Sequence, residues 1–358
     1  MLNPVLLLVL WALALSFLLA VGLAPPEVIR TIPPNTESRL LIDMAGRSVW
    51  LKNTPPSRVI ALGHFLPIYT TLDFGAEHVI ALVGRKFTAE GALERIYPRI
   101  AELPQISGVL DVERVMILAP DAVLTFKGDS AEMLEKVGLS GVFELTLPET
   151  LLQKSVWRYW MAFGQVSAKE NRAQAILERY EATLPTIKTA ATRQSPVRVL
   201  SLWFFNGTWS ICGKTCYLTP VLELAGAANI AERNRFPLGD VEQIMKMDPD
   251  VILIGYEIGS KTGPGHLFEA PEWQGVRAVR DRRVYLMPVH SFYNWPVDIA
   301  LLAGWMQEVF YPGAAKTTRL AFKDAYRDVY RYSLSDHEID RALFIEENGK
   351  SEGYGRFK

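Results

Sequence analysis

The chain has 358 residues, 49% of them hydrophobic, which is enough to fill two α/β domains and does not fit a disordered polypeptide. Its 38 basic and 39 acidic side chains nearly cancel, and no run of Lys or Arg lines a predicted helix, so an electrostatic nucleic-acid surface is excluded. There is no Gly-x-Ser-x-Gly elbow, no His-Glu-x-x-His pair and no cysteine with a plausible His partner, so no familiar catalytic constellation is present.

From Pro4 through Ala24 the sequence is apolar, with no charge before Glu27. Residues 1–24 therefore read as a signal peptide or an N-terminal anchor. Small residues at Ala20, Gly22 and Ala24 suit a signal peptide, and Pro25 disfavours cutting after Ala24, which leaves Gly22 as the favoured site. A run of about 20 apolar residues is also long enough to span a bilayer uncleaved. No cysteine follows the leader, so a lipid-anchored form is not expected, and the expected compartment is the periplasm.

Residues 36–149 read as a first α/β lobe. Arg39 to Leu51 alternates apolar and polar residues around Met44-Ala45-Gly46, a β-hairpin signal. Pro55-Pro56 breaks it, Val59 to Leu62 starts a buried strand, a helix is expected from Pro67 to Phe74, and Val79 to Val83 is the next strand. Alternating strands and helices favour a mainly parallel sheet. The run Val112-Glu113-Arg114-Val115-Met116-Ile117-Leu118-Ala119-Pro120-Asp121-Ala122-Val123-Leu124 then spells a short helix, a Pro-Asp turn and a buried strand.

Residues 150–195 carry apolar side chains at helical spacing with no strong breaker before Pro185. They predict one long linking helix, bent if at all near Gly164 to Ser167. Residues 196–312 restart the strand pattern at Pro196 to Trp203 and repeat the earlier motif as Val241-Glu242-Gln243-Ile244-Met245-Lys246-Met247-Asp248-Pro249-Asp250-Val251-Ile252-Leu253. The same unit is written twice, so two similar lobes with a cleft between them are expected, and Met116 and Met245 are assigned to the lobe cores. A short helix around Trp273, a strand from Arg283 to Met287 and a helix from Pro296 to Val309 follow. Residues 313–358 form a helical tail with Ser335 as an N-cap.

The two cysteines, Cys212 and Cys216, predict a small disulfide in an oxidising compartment, with two free thiols as the alternative, and no His or Cys pair lies nearby to complete a zinc site. Gly213-Lys214-Thr215 is not a phosphate loop, since the glycine that motif needs is replaced by Thr208.

The hairpin Asp43-Met44-Ala45-Gly46-Arg47, the sequence Pro56-Ser57-Arg58-Val59-Ile60, the segment Thr71 to Ala76 and the paired Val-Glu motifs together resemble the class III substrate-binding proteins of ABC importers, the receptors for ferric siderophores, haem, cobalamin and metal chelates. The resemblance runs from about Leu40 to Tyr311. It implies two α/β lobes with mainly parallel sheets, joined by one long backbone α-helix, closing by small movements on cargo held between them. It also implies that Glu113 and Glu242, one per lobe, pair with arginines of a membrane permease. A carboxylate in the first turn of a helix is also favoured by the helix dipole alone.

Ligand contacts are expected at the carboxyl ends of the strands. His64 and His290 fall there on opposite lobes, and imidazole is a good donor to nickel, iron or cobalt. Tyr256 and Tyr293 are alternatives, because tyrosinate suits ferric iron or haem. Arg85 and Lys86 offer charge to an anionic chelate, and Phe65, Trp203, Phe204 and Trp295 offer flat apolar faces. His266 is placed at the groove mouth, and His78 and His337 at the surface. No intrinsic cofactor is expected, only a bound metal complex, and the chain is expected to be monomeric. Two other readings stand beside the receptor: an exported enzyme with His64 or His290 as base near Glu257, and an anchored sensor that feeds no permease.

Overall fold

The computed structural model describes residues 38–52, 55–62, 66–72, 74–83, 96, 99, 102–106, 111–126, 128, 131–146, 154–191, 195–205, 208–216, 218–233, 241–255, 263–288, 295–311, 313–314 and 316–358. The leader, together with the expectation for it, lies outside these residues. Arg39–Lys358 is a single compact unit.

The predicted hairpin is β1 (Arg39–Ile42) paired antiparallel with β2 (Ser48–Leu51), Arg39 opposite Leu51 and Ile42 opposite Ser48. Its turn is organised by Asp43, whose carboxylate accepts the N–H groups of Ala45 and Arg47 at 2.9 and 2.8 Å, and by Gly46 at φ 86°.

The first sheet follows. In chain order come β3 (Val59–Leu62), α1 (Leu66–Thr71), a 3-10 turn (Ala76–His78), β4 (Val79–Val83), β5 (Gln105–Ile106), α2 (Val112–Leu118), β6 (Ala122–Phe126), α3 (Ala131–Lys136) and β7 (Val142–Leu145). The sheet order is β5-β4-β3-β6-β7 and every pairing is parallel. All four residues of β3 and of β7 are buried, as strands covered on both faces require.

The linking stretch corrects the expectation of one helix across 150–195. It is two helices, α4 (Lys154–Ser167) and α5 (Glu170–Ala191). Ala168 sits at φ 54°, its N–H bonds to the carbonyl of Gln165, and Lys169 N–H reaches back to the carbonyl of Gly164 at 2.8 Å. That is a Schellman stop, with alanine in the place glycine usually marks. The chain then folds back, so that Trp160 donates to the Ala173 carbonyl and Trp157 to Glu181. A Cβ on Gly164 would stand 2.8 Å from that of Ala173, so this crossing needs glycine. The helix that runs on toward the second lobe is α5 alone.

The second sheet is built from β8 (Val197–Phe205), β9 (Thr208–Ile211), α6 (Thr219–Leu224), β10 (Ala227–Asn229), α7 (Val241–Met247), β11 (Val251–Gly255), α8 (Pro264–Glu269), a 3-10 turn (Pro271–Trp273), α9 (Arg277–Arg280) and β12 (Val284–Leu286). Its order, β10-β8-β11-β12, reproduces the β4-β3-β6-β7 core of the first, with β9 added antiparallel to β8. Along β11, Ile252 and Ile254 join one apolar cluster and Val251 and Leu253 the other, the period-two division of a buried strand.

The tail is α10 (Trp295–Phe310), α11 (Thr318–Tyr330) and α12 (Asp336–Ala342). Ser335 caps α12 through a complete capping box with Glu338. The buried Glu308 carboxylate accepts from the N–H groups of Thr317 and Thr318 at 2.5 and 2.6 Å and so starts α11. Arg172, on α5, donates to the Thr71 carbonyl at the end of α1 and to the Asp328 and Val329 carbonyls at the end of α11. One guanidinium therefore closes two helix C-termini, a placement the helix dipole favours.

Candidate functional site

The two written copies of the helix-turn-strand unit fold alike. In the first lobe Arg58 spans the turn: its side chain donates to the Leu118 and Ala119 carbonyls at 2.6 and 3.1 Å, and its N–H donates to the Asp121 carboxylate at 3.0 Å. In the second lobe Arg198 donates to the Met247 carbonyl at 2.7 Å and its N–H to Asp250 at 2.9 Å. The backbone N–H of each aspartate returns a bond to the carbonyl of its arginine, 2.8 Å in both lobes. Even the left-handed residue before the Pro-Asp pair recurs, Ala119 at φ 42° and Asp248 at φ 44°. The clamps hold α2 and α7 in matching places on matching sheets.

Glu113 and Glu242 are exposed in the first turns of α2 and α7. The inward positions of these helices are Val115 and Ile244, both fully buried. Met116 and Met245, assigned to the core on their apolar character, are instead 40% and 43% exposed. A seven-residue helix lying on a sheet turns only a narrow stripe inward, and the next residue after Val115 or Ile244 is rotated out of it. Near α7, Arg277 forms ion pairs with Asp248 and Asp250 at 3.0 and 2.7 Å. Its hydrogen bond holds the Asp248 carboxyl below the usual carboxylate range.

At the carboxyl ends of the strands, His64, Phe65, Arg85, Lys86, Tyr256, His290 and Tyr293 lie outside the described residues, as does the side chain of Trp295, the first residue of α10. Trp203 and Phe204 are described, both half-buried near the end of β8. As strand neighbours they point to opposite faces. Trp203 lies across the paired strand, where a Cβ on Gly255 would come 2.4 Å from its ring. Phe204 faces its partner Trp209 on β9, ring centres 5.0 Å apart and edge-on. Trp209 also meets Trp273 at 5.8 Å, and His266 stands 6.2 Å from both Phe204 and Trp209.

The second lobe thus presents an aromatic wall at a strand end, with an exposed imidazole beside it. Trp209 was missed by sequence reasoning, although Asn206-Gly207 between two apolar runs is the strongest short signal for a hairpin. His78 is half-buried against the Phe74 ring, 4.8 Å away, and His337 is exposed on α12. Among the described residues no cluster of His, Cys, Asp or Glu is arranged to hold a metal, and no helix is long and apolar enough to cross a membrane. Cys212 and Cys216 are buried side by side, Cα atoms 5.4 Å apart.

The family model for periplasmic binding proteins matches residues 105–290, from the first lobe through the second. The chain belongs to that family. The two-lobe α/β architecture places it among the class III substrate-binding proteins, the fold class the sequence resembles. It is 22% identical over 188 residues to the iron-uptake system-binding protein of Bacillus subtilis, half of this chain and 58% of that one. It is 20% identical over 331 residues to the molybdate-binding protein MolA of Haemophilus influenzae, 85% of this chain and 94% of that one. A periplasmic solute binding protein from Veillonella parvula has the same fold at TM-score 0.75 and 19% identity, covering 87% of this chain and 98% of the other. Binding proteins of this family are extracytoplasmic and deliver ligands to ABC transporter permeases, and their family and fold are those of transport proteins.

Proposed function

We propose that this chain captures a metal chelate, such as a ferric siderophore, haem, cobalamin or a nickel or iron complex, between its two lobes and hands it to an ABC permease. The family match across both lobes carries this reading. Supporting it are the aromatic wall of Phe204 and Trp209, flat faces suited to a large organic cargo, and the name of one relative, an iron-uptake system-binding protein. His64 and His290 complete the metal's coordination shell, with Tyr256 and Tyr293 as oxygen donors for ferric cargo and Arg85 and Lys86 supplying positive charge. Phe65, Trp203 and Trp295 complete the apolar surround. The chain works by recognition and turns nothing over.

The protein purified from its native host tests the cargo through its absorption spectrum and metal content. A Soret band means haem, a broad visible band a ferric siderophore, stoichiometric cobalt a corrinoid, and nickel without strong colour a small nickel chelate. Molybdenum in place of these metals overturns the chelate and makes the cargo an oxyanion.

Delivery runs through Glu113 and Glu242, each paired bidentately with an arginine of the permease. Replacing both by Gln is expected to abolish uptake while cargo affinity persists; uptake at the wild-type rate overturns the docking role. The leader is removed after Gly22, and the exported chain acts as a monomer with Cys212 bridged to Cys216, whose Cα spacing suits a disulfide. Alkylation that adds mass only after reduction checks the bridge.

A further inference from the structure

Each lobe exposes a methionine one helical turn beyond its docking glutamate. Glu113 and Met116, like Glu242 and Met245, are three residues apart and so share a helix face. The two methionines occupy the same position of the repeated unit and are exposed to nearly the same degree, 40% and 43%. Folding does not ask for this, because Val115 and Ile244 already fill the inward positions. Beside Met116, Ile117 is 75% exposed, the largest fraction among the exposed large apolar residues described. The matched position in the second lobe is the exposed Lys246.

Met245 also has a seat. A Cβ on Gly275 would stand 2.3 Å from the Met245 methyl carbon and 2.9 Å from its sulfur, so the side chain lies along bare backbone, held in place while much of it faces water. The Arg58 and Arg198 clamps set both helices the same way on their sheets. A charge beside an apolar knob is therefore presented twice in the same arrangement. The complement is a partner that offers, also twice, a cation beside an apolar hollow.

We infer that Met116 and Met245, with Ile117 extending the first, form the apolar half of the permease contact. Each Glu–Met pair engages one of two like surfaces on the permease, the carboxylate taking an arginine and the thioether a neighbouring hollow. Methionine suits that role, since its unbranched, polarisable chain adapts to an irregular apolar surface. This rests on the reading that Glu113 and Glu242 dock the permease.

The two halves of the contact answer differently to salt: the ionic half is screened, and the apolar half is not. The test takes the permease recovered with the wild-type protein from solubilised native membranes, identified by mass spectrometry and held in nanodiscs. Its affinity is measured for the wild type, for Met116→Ser/Met245→Ser and for Glu113→Gln/Glu242→Gln across a salt series. The methionine variant is expected to bind about tenfold or more weakly at every salt concentration and to keep its salt dependence. The glutamate variant is expected to bind weakly with little salt dependence. Thermal melting of each variant alone at the wild-type temperature shows that the folds are intact, as exposed positions should allow.

Binding of the methionine variant within about twofold of wild type, while the glutamate variant fails, overturns this inference and leaves the docking reading standing. Failure of the wild type to recover a permease, or indifference to both pairs of substitutions, overturns the reading beneath it. Self-association of the wild type that disappears in the methionine variant also overturns the inference, by making the partner a second copy of this chain.

Discussion

The two lobes share a sheet core and protect its outer edge in different ways. In the first lobe the edge strand β7 is covered by the hairpin: Met44 N–H bonds to the Glu144 carbonyl at 3.1 Å, Glu144 N–H to the buried Asp43 carboxylate at 3.2 Å, and Arg47 to the Val142 carbonyl at 3.1 Å. Arg47 also pairs with Asp43, Glu135 and Glu144, so the seal is ionic. In the second lobe the edge strand β12 is covered by side chains of the tail. Asn348, fully buried, takes the Leu286 N–H at 2.7 Å and gives its own to the Leu286 carbonyl at 3.0 Å, while Ser351 donates to the Val284 carbonyl at 2.6 Å. An unpaired strand edge invites another chain, and each lobe blocks it with a segment distant in sequence, the hairpin that precedes the first sheet or the tail that follows the second. The repeat specifies the sheet core and leaves the edge to local invention.

The contrast is sharpest under substitution. Arg47→Ala leaves Asp43 and Glu144 facing each other with little water and is expected to cost about 3 kcal/mol in urea unfolding, in the range for breaking a buried ion pair. Asn348→Ala is expected to cost about 2 kcal/mol, because it strips both polar groups of Leu286 of their partner without stranding a charge. Equal costs would mean that the hairpin seal is worth no more than its hydrogen bonds.

A smaller effect separates the two turns. Since Arg277 holds the Asp248 carboxyl below its ordinary value, the folded chain binds fewer protons than the unfolded one in acid. The stability this gives is complete above the unfolded carboxylate value, near pH 4, and is lost as pH falls through the folded one. Arg277→Ala should flatten that acid loss in a series of urea midpoints against pH. Arg58→Ala, at the matched clamp of the first lobe, lacks an Asp248 counterpart and should leave the slope unchanged. Smallest of all, Ala119→Gly is expected to gain about 0.5 kcal/mol by relieving the left-handed strain on alanine, offset by glycine's freedom when unfolded. Asp248→Gly removes the Arg277 partner and should gain nothing.

Much of this was legible before any coordinates. The repeat gave the doubled unit because its Val-Glu and Pro-Asp positions mark a helix start and a turn at fixed spacing, and Ser335 marked the start of its helix as an N-cap. The break at Ala168 was legible only as a bend near Gly164 to Ser167, because nothing in alanine distinguishes a left-handed stop from another helical residue. The exposure of Met116 and Met245 was hidden for a related reason: apolar character does not reveal which way a short helix faces, and the sheet decides that. Trp209 was legible and overlooked, since Asn206-Gly207 flags its hairpin.

Arg172 joins pieces distant in sequence, the end of α1 in the first lobe and the end of α11 near the chain's close. The last stretch of polypeptide is thereby buckled to the first lobe as well as the second, and α5 is not the sole brace between them. If the lobes grip a cargo between them as proposed, two braces instead of one set the width of the grip, and a chelate too large for it is expected to bind more weakly than one that fits.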